Sequence, residues 1–399
     1  MLAPRPSLAV TVAVSLLAAA SCSGSSAYDP PSAALEGRDV AEAAGVSAPS
    51  NTHGENCIAD VDEDGLLDVI LSFHEDVWPL MWGRPDGVFE QASELDLAAR
   101  DRHGCAVADF DGDGRLDIYF SIGACRGTCE APKELWIQQP DGTFAEEADL
   151  WGISDPGARG RVPLVVEVNG DGRPDLFTGA EAGVDFPSLS RLWINAGDHF
   201  ELAHGPLTND IGNLCAAAAD LDGDGLDEVA ICTPEDGFHL YRNRGGDYVE
   251  ATAEFGLEGY GRRTVEFVDL DGDGDQDLAT VARSRVQVHP NEGGFFGAPM
   301  FDVTAKDAKD VAFGDLDGDD DIDIYLQEGA ESSAPDRVYL NDGNGQFSLG
   351  PDVPVADEGA GDSVVTFTDW RGQRSDAFLV NNGFQETPGP RQLIIFEEA

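Results

Sequence analysis

Positive charge is scarce in this chain. Only 24 lysines and arginines stand against 76 aspartates and glutamates, for a formal charge of -52 over 399 residues. Nucleic acid and anionic membrane surfaces require a basic footprint, so neither is an expected partner. Catalytic signatures are missing as well. There is no Gly-x-Ser-x-Gly elbow and no His-Glu-x-x-His segment, so no nucleophile is recognisable and an enzyme is not expected. No Cys-x-x-Cys pair with histidine spacing occurs, so zinc is not expected. What is present in excess needs a use. So much acid normally implies disorder, yet 42% of the residues are hydrophobic and a core is available. Bound cations are the natural counterpart of the carboxylates.

The N-terminus reads as a targeting segment, with residues 1–21 a signal peptide. Arg5 supplies a short positive region, and Leu8 to Ala20 is an apolar run too short to span a bilayer. It ends in Ala-Ala-Ser-Cys at Ala19 to Cys22, which resembles the lipobox of bacterial lipoproteins, with Ala19 standing where Leu is usual. Lipidation of Cys22 implies an outer-membrane or cell-surface lipoprotein, and an unmodified Cys22 a periplasmic or secreted protein. Residues 22–34, rich in Ser, Gly and Pro, read as a flexible tether. Six further cysteines in an oxidising compartment favour disulfides.

One pattern organises the rest, residues 35–399. Asp-x-Asp-x-Asp-Gly-x-x-Asp starts at Asp60, Asp109, Glu167, Asp220, Asp269 and Asp315, with a worn copy at Asp369. Successive starts lie 46 to 58 residues apart, a period of propellers or solenoids. In the second copy Cys105 to Ala108 reads as a first strand, Leu116 to Ser121 as a second, Leu135 to Gln138 as a third, and Phe144 opens a fourth. Pro140-Asp141-Gly142 marks the last hairpin turn. Four antiparallel strands per repeat make a propeller blade. First strands rich in small residues, such as Ala216 to Ala219, suit the crowded innermost position. The expected fold is therefore all-β, a seven-bladed propeller. Arg38 to Ala43 is expected to complete a last blade whose third strand is Gln392 to Phe396, closing the sheet edges. The six loops at blade spacing resemble the FG-GAP and VCBS repeat proteins, including the integrin α-subunit propeller. That resemblance implies a calcium-dependent extracellular module.

The loops suit calcium, a hard cation that takes six to eight oxygens. Positions 1, 3 and 5 offer alternate side-chain oxygens, position 7 its backbone carbonyl, and position 9 a closing acid. In the first loop these are Asp60, Asp62, Asp64, Leu66 and Asp68, and in the second Asp109, Asp111, Asp113, Arg115 and Asp117. The third loop has Glu167, Asn169, Asp171, Arg173 and Asp175, one charge fewer. The fourth has Asp220, Asp222, Asp224, Leu226 and Glu228, with Asp227 beside it. The fifth has Asp269, Asp271, Asp273, Asp275 and Asp277, and the sixth Asp315, Asp317, Asp319, Asp321 and Asp323. Asp320 replaces the turn glycine in the sixth, tolerable because Asp visits left-handed backbone. Arg371 and Gln373 replace acids in the seventh, which should stay empty. About six calcium ions are expected. An EF-hand is excluded because strands flank the loops and Leu71 stands at position 12.

The residues before each first strand lie at the opposite blade end. They gather eight of the 24 cationic residues, among them Arg102, Arg161, Arg262, Arg263 and Lys309, with His53 and His103 at matching places. Arginine forks bind carboxylates bidentately, so this end is a candidate for a glycan or an acidic protein ligand. The plainer alternative is that these cations offset neighbouring acids such as Asp101. The loops joining second and third strands share this end, including His74 to Pro79 with Trp78. Cys57 with Cys105, Cys125 with Cys129, and Cys215 with Cys232 are plausible bridges among 15 possible pairings. The expected function is recognition or adhesion, with a lyase, a hydrolase or a partner-subunit scaffold as alternatives.

Overall fold

The computed structural model describes residues 35–50, 56–95, 97–123, 129–181, 190–208, 215–233, 237–257, 264–282, 284–329, 335–353, 363–368, 376–382 and 389–398. The targeting segment and tether, Cys22, His53, Cys125, Arg262, Arg263, Asp369, Arg371 and Gln373 lie outside them. The described residues form seven four-stranded antiparallel sheets, the blades of an all-β seven-bladed propeller. Two compact units are distinguished. One holds Asn56–Trp82 and Gln91–Thr252, and the other holds Gly83–Glu90, Ala253 onward and the segment up to Glu55.

Blade two shows why the sequence folds this way. Its strands are Arg102–Ala108, Asp117–Ile122, Glu134–Gln138 and Phe144–Glu146. The expected turn closes the last hairpin: Gly142 is left-handed at φ 83°, and Gln139 N–H donates to the Thr143 carbonyl at 2.7 Å. The first and second strands are buried on both faces, so they read as near-continuous apolar runs. In the first unit Ile118 and Phe120 pack with Cys57, Ile70, Trp78 and Leu80 of blade one, whereas Ala106, Tyr119 and Leu135 face Trp193 and Phe200 of blade three. The core thus lies in layers between consecutive blades. The second unit repeats this, with Val281, Val288, Leu326 and Tyr339 in one layer and Tyr325, Leu340, Phe378 and Ile394 in the next.

The last blade draws on both chain ends. Ser363–Phe367, Ala377–Asn381 and Arg391–Glu398 are its first three strands, and Leu35–Asp39 pairs with the third, Gly37 opposite Phe396. The expected closing strand is displaced. It ends at Asp39, and Ala41–Ala44 is a short helix stopped by Gly45 in the left-handed conformation, φ 81°. Alanine favours helix, and glycine accepts the positive φ of a helix C-terminus.

Two expected disulfides are formed. Cys57–Cys105 joins the first strands of consecutive blades, and Cys215–Cys232 joins paired strands of blade four. Cys129 is disulfide-bonded too, and its expected partner Cys125 lies outside the described residues. Disulfides belong to an oxidising, exported setting.

Candidate metal loops and ligand face

The six acidic loops share one backbone scheme. The carboxylate at position 1 accepts the N–H of position 6, as Asp60 does from Gly65 and Asp109 from Gly114, both at 2.9 Å. Asp320 donates likewise to Asp315 at 3.0 Å with φ 72°, so aspartate takes the glycine's conformation as expected. This bond curls each loop. Carboxylate oxygens of Asp60, Asp62 and Asp68 come within 4.8 Å of one another, as do those of Asp109, Asp111 and Asp117, of Asp220, Asp222 and Glu228, and of Asp269, Asp271 and Asp273. All donors are hard oxygens, so the sets fit a divalent cation of the calcium type.

Position 9 does more than the sequence reading foresaw. Asp117 is fully buried, and its Oδ2 accepts Phe110 N–H at 2.9 Å while Oδ1 accepts Gln138 N–H at 2.8 Å. Asp175, Glu228, Asp277 and Asp323 make the same two bonds. The acid therefore clips its loop to the end of the third strand. Burial, with the charges of Asp111 and Asp109, pushes the Asp117 carboxyl up to about 7. Asp175, Glu228 and Asp277 also rise to about 7, and Asp323 to about 9, burial leading in each.

A further link joins consecutive blades. The residue that receives this clip sends its side-chain amide to the preceding blade's loop. Asn195 Nδ2 donates to the Phe110 carbonyl at 2.8 Å, Asn243 to Val168 at 2.9 Å, Asn341 to Leu270 at 2.6 Å, and Gln138 to Val61 at 3.1 Å. The recurrence of Asn or Gln at the end of third strands was the available signal. Asp227, beside Glu228, accepts the Glu167 N–H at 2.7 Å and so clamps two loops rather than closing its own. The seventh repeat has Ala377 at position 9, and Asp376 before it accepts from Asp315 N–H at 3.0 Å. Two position-7 arginines, Arg115 and Arg173, ion-pair with the position-5 aspartates of their own loops, Asp113 and Asp171.

The other ends of the first strands are built on bulges. Register slips between Arg102 and Gly104, between Gly160 and Pro163, and between Ala308 and Asp310. His103, Arg161 and Lys309 fall in these irregularities, within the strands Arg102–Ala108, Gly160–Val166 and Ala308–Gly314, not before them as expected. A bulge re-aims the side chain it carries. Arg100, Arg102, Arg159, Arg161 and Lys309 each meet an acid. Arg102 is fully buried, 2.8 Å from Glu134, and over the Phe120 ring, so it is withdrawn from the ligand face: an enclosed guanidinium has no surface to offer. Arg161 lies 2.7 Å from Glu181, and Lys309 3.1 Å from Asp307. Trp78 is likewise core, edge-on to Phe120 at 5.9 Å. His103 Nε2 lies 2.9 Å from Asp101, and His74 Nε2 3.5 Å from the same oxygen. The sequence had paired His103 with His53.

A family model for the FG-GAP-like repeat matches residues 60–120, 168–231, 220–280 and 269–326, more than half of the chain. The chain belongs to the FG-GAP-like repeat family. Among curated proteins, integrin alpha-4 of Xenopus laevis is 28% identical over 142 residues, covering 30% of this chain. The chain spans 14% of that relative's length. Among solved structures, an Agrocybe aegerita lectin that recognises non-reducing terminal N-acetylglucosamine aligns with a TM-score of 0.55 at 18% identity, over 83% of this chain and 86% of the lectin. BBS1N, solved in complex with ARL6DN, aligns at 0.54 and 11% identity, over 88% of this chain and 94% of that one. At such identities these FG-GAP-like repeats share the propeller fold alone with them.

Proposed function

We propose that this FG-GAP-like chain is an exported recognition or adhesion module. Calcium fills its six acidic loops, and a glycan or protein ligand binds at the opposite blade ends without being turned over. A lipid on Cys22 would hold it at the cell surface. The observation carrying the reading is the division of labour within the blades that carry an acidic loop. One end repeats the same oxygen-donor loop, whereas the other differs from blade to blade, with Arg100, Arg161 and Lys309 each held by a local acid. Repetition suits a structural ion, and variation suits a ligand site. Calcium would supply the positive charge that converging carboxylates lack, stiffening the strands that carry the variable ends. Arg100, its side chain 40% exposed, offers a planar fork to carboxylates or sugar hydroxyls. The lectin with the same fold lends general support.

The test is binding of the calcium-loaded protein to arrayed glycans and matrix proteins, repeated in chelator. Arg100→Glu and Arg262→Glu/Arg263→Glu variants accompany it. Specific capture, lost in chelator and weakened by either variant, is expected. Absence of any capture by folded, calcium-loaded protein would overturn the adhesin reading. Product formation from an acidic polysaccharide, lost in His103→Ala, would replace it with an enzyme.

A further inference from the structure

The first unit holds a cluster that belongs to none of the acidic loops. His74, Asp101 and His103 bring two imidazole nitrogens and one carboxylate oxygen within 4.8 Å of one another. Both histidines approach through Nε2, and both approach the same atom, Asp101 Oδ1, at 3.5 and 2.9 Å. The rings stand nearly perpendicular, 75°, with centroids 6.2 Å apart. Tetrahedral zinc with bonds of about 2.0–2.1 Å places its ligand atoms about 3.3 Å from one another, and the two observed distances bracket that value.

The convergence is built from separate segments. His103 sits on the bulge of its strand, where the register slip turns its side chain toward Asp101. Asp101 is fixed through its carbonyl, which accepts Gly123 N–H at 2.7 Å. Gly123 is the second feature of the cradle. A Cβ there would collide with Asp101 Oδ2 and His103 Nε2, so any other residue would occupy the space beside the donors. His74 comes from the loop after blade one's second strand. That loop is anchored by Trp78, whose indole N–H donates to the Phe73 carbonyl at 2.5 Å, and by a bridge between Asp76 and Arg100. The side chains of His74 and Asp101 are 24% and 22% exposed against 5% for His103, so the cluster opens to solvent on one side. Arg161 acts on Asp101 and His103 electrostatically, and Glu181 at 2.7 Å counters its charge.

We propose that His74, Asp101 and His103 form a zinc site, distinct in chemistry from the calcium loops. Two imidazoles and one carboxylate are a borderline-soft donor set that calcium does not choose and that zinc and its first-row neighbours do. Three protein ligands leave a coordination position open toward solvent, available to water or to an oxygen of a bound molecule.

The experiment is equilibrium dialysis of the full chain against zinc salt, with calcium in excess so that the acidic loops are filled. One zinc per chain is expected, with at least about tenfold weaker binding in His74→Ala and in Gly123→Ala. His74 is chosen over the buried His103 because its partly exposed side chain can be removed without opening the core. Circular dichroism and calcium-dependent melting report that each variant is folded. Cobalt in place of zinc should give visible tetrahedral bands that His74→Ala abolishes. The assignment is overturned if the folded, calcium-loaded protein takes up no zinc. It is equally overturned if His74→Ala binds as tightly as the parent, since the zinc would then sit elsewhere, for example at the exposed His199 with Asp198 and Glu201.

Discussion

Asp117 faces opposite demands in the two states of its loop. With a cation present, its negative charge is wanted; without one, the carboxyl is buried beside Asp109 and Asp111 and rises to about 7. Asp117→Asn removes the charge and one of two acceptors. In calcium the variant should lose one bound ion and about 1–3 kcal/mol of stability, as a buried donor loses its partner. In chelator at neutral pH the cost should be smaller, because the buried charge is gone. Urea unfolding in both conditions checks this, and equal losses would refute the dual role. Arg102 makes the second residue-scale case. Its guanidinium donates to both oxygens of Glu134 and to the Ala98 carbonyl, all inside the blade. Arg102→Met should cost about 3 kcal/mol, toward the low end for a broken buried pair, since Arg100 still faces Glu134 at 3.1 Å. A change below about 1 kcal/mol by urea unfolding would show that the pair is dispensable.

Among elements, the third-strand amides and the disulfides tie blades together. Asn195→Ala strips the Phe110 carbonyl of its 2.8 Å donor and the Pro174 carbonyl of its 3.2 Å donor, one in each loop, and keeps the backbone clip to Asp175. A loss of about 1–3 kcal/mol is expected, with weakened calcium binding in the second and third loops together. If calcium titration shows only one loop affected, the amide does not couple them. The disulfides differ in reach. Cys57–Cys105 spans 48 residues and Cys215–Cys232 spans 17. Loop-closure entropy assigns about 4 kcal/mol to the first and about 3 kcal/mol to the second. Double serine variants measured by urea unfolding should keep that order.

For the whole molecule the governing quantity is proton and calcium linkage. Free carboxyls titrate near 3.8 to 4.5, whereas Asp117, Asp175, Glu228 and Asp277 are raised to about 7 when no ion is bound. A folded pKa raised above the unfolded value contributes stability that is full below the unfolded pKa. It is lost as pH climbs through the folded one. In chelator the protein should therefore be most stable near pH 4 and weaken up to about pH 7, with Asp323 extending the loss to about 9. The proposed calcium would bind only the ionised loops, so the melting-temperature gain it produces should grow over the same window. A calcium effect that is constant from pH 4 to 8 would contradict this linkage.

The sequence by itself determined the blade count and the acidic loops, because both are local. Nine consecutive residues place their own donors, and the alternation of small, apolar and turn residues sets four strands at a recurring spacing. It also suggested Cys57 with Cys105, at the same place in consecutive repeats, but left 15 pairings open, and the tertiary structure chose among them. Tertiary structure decided what depends on neighbours. The bulges that turn His103 and Lys309, the burial of Arg102 against Phe120, and the approach of His74 to Asp101 all join residues from different strands or loops. The clip by position 9 and the amide link between loops are long-range hydrogen bonds that local propensity cannot encode. Their partners are set by how one blade packs upon the next.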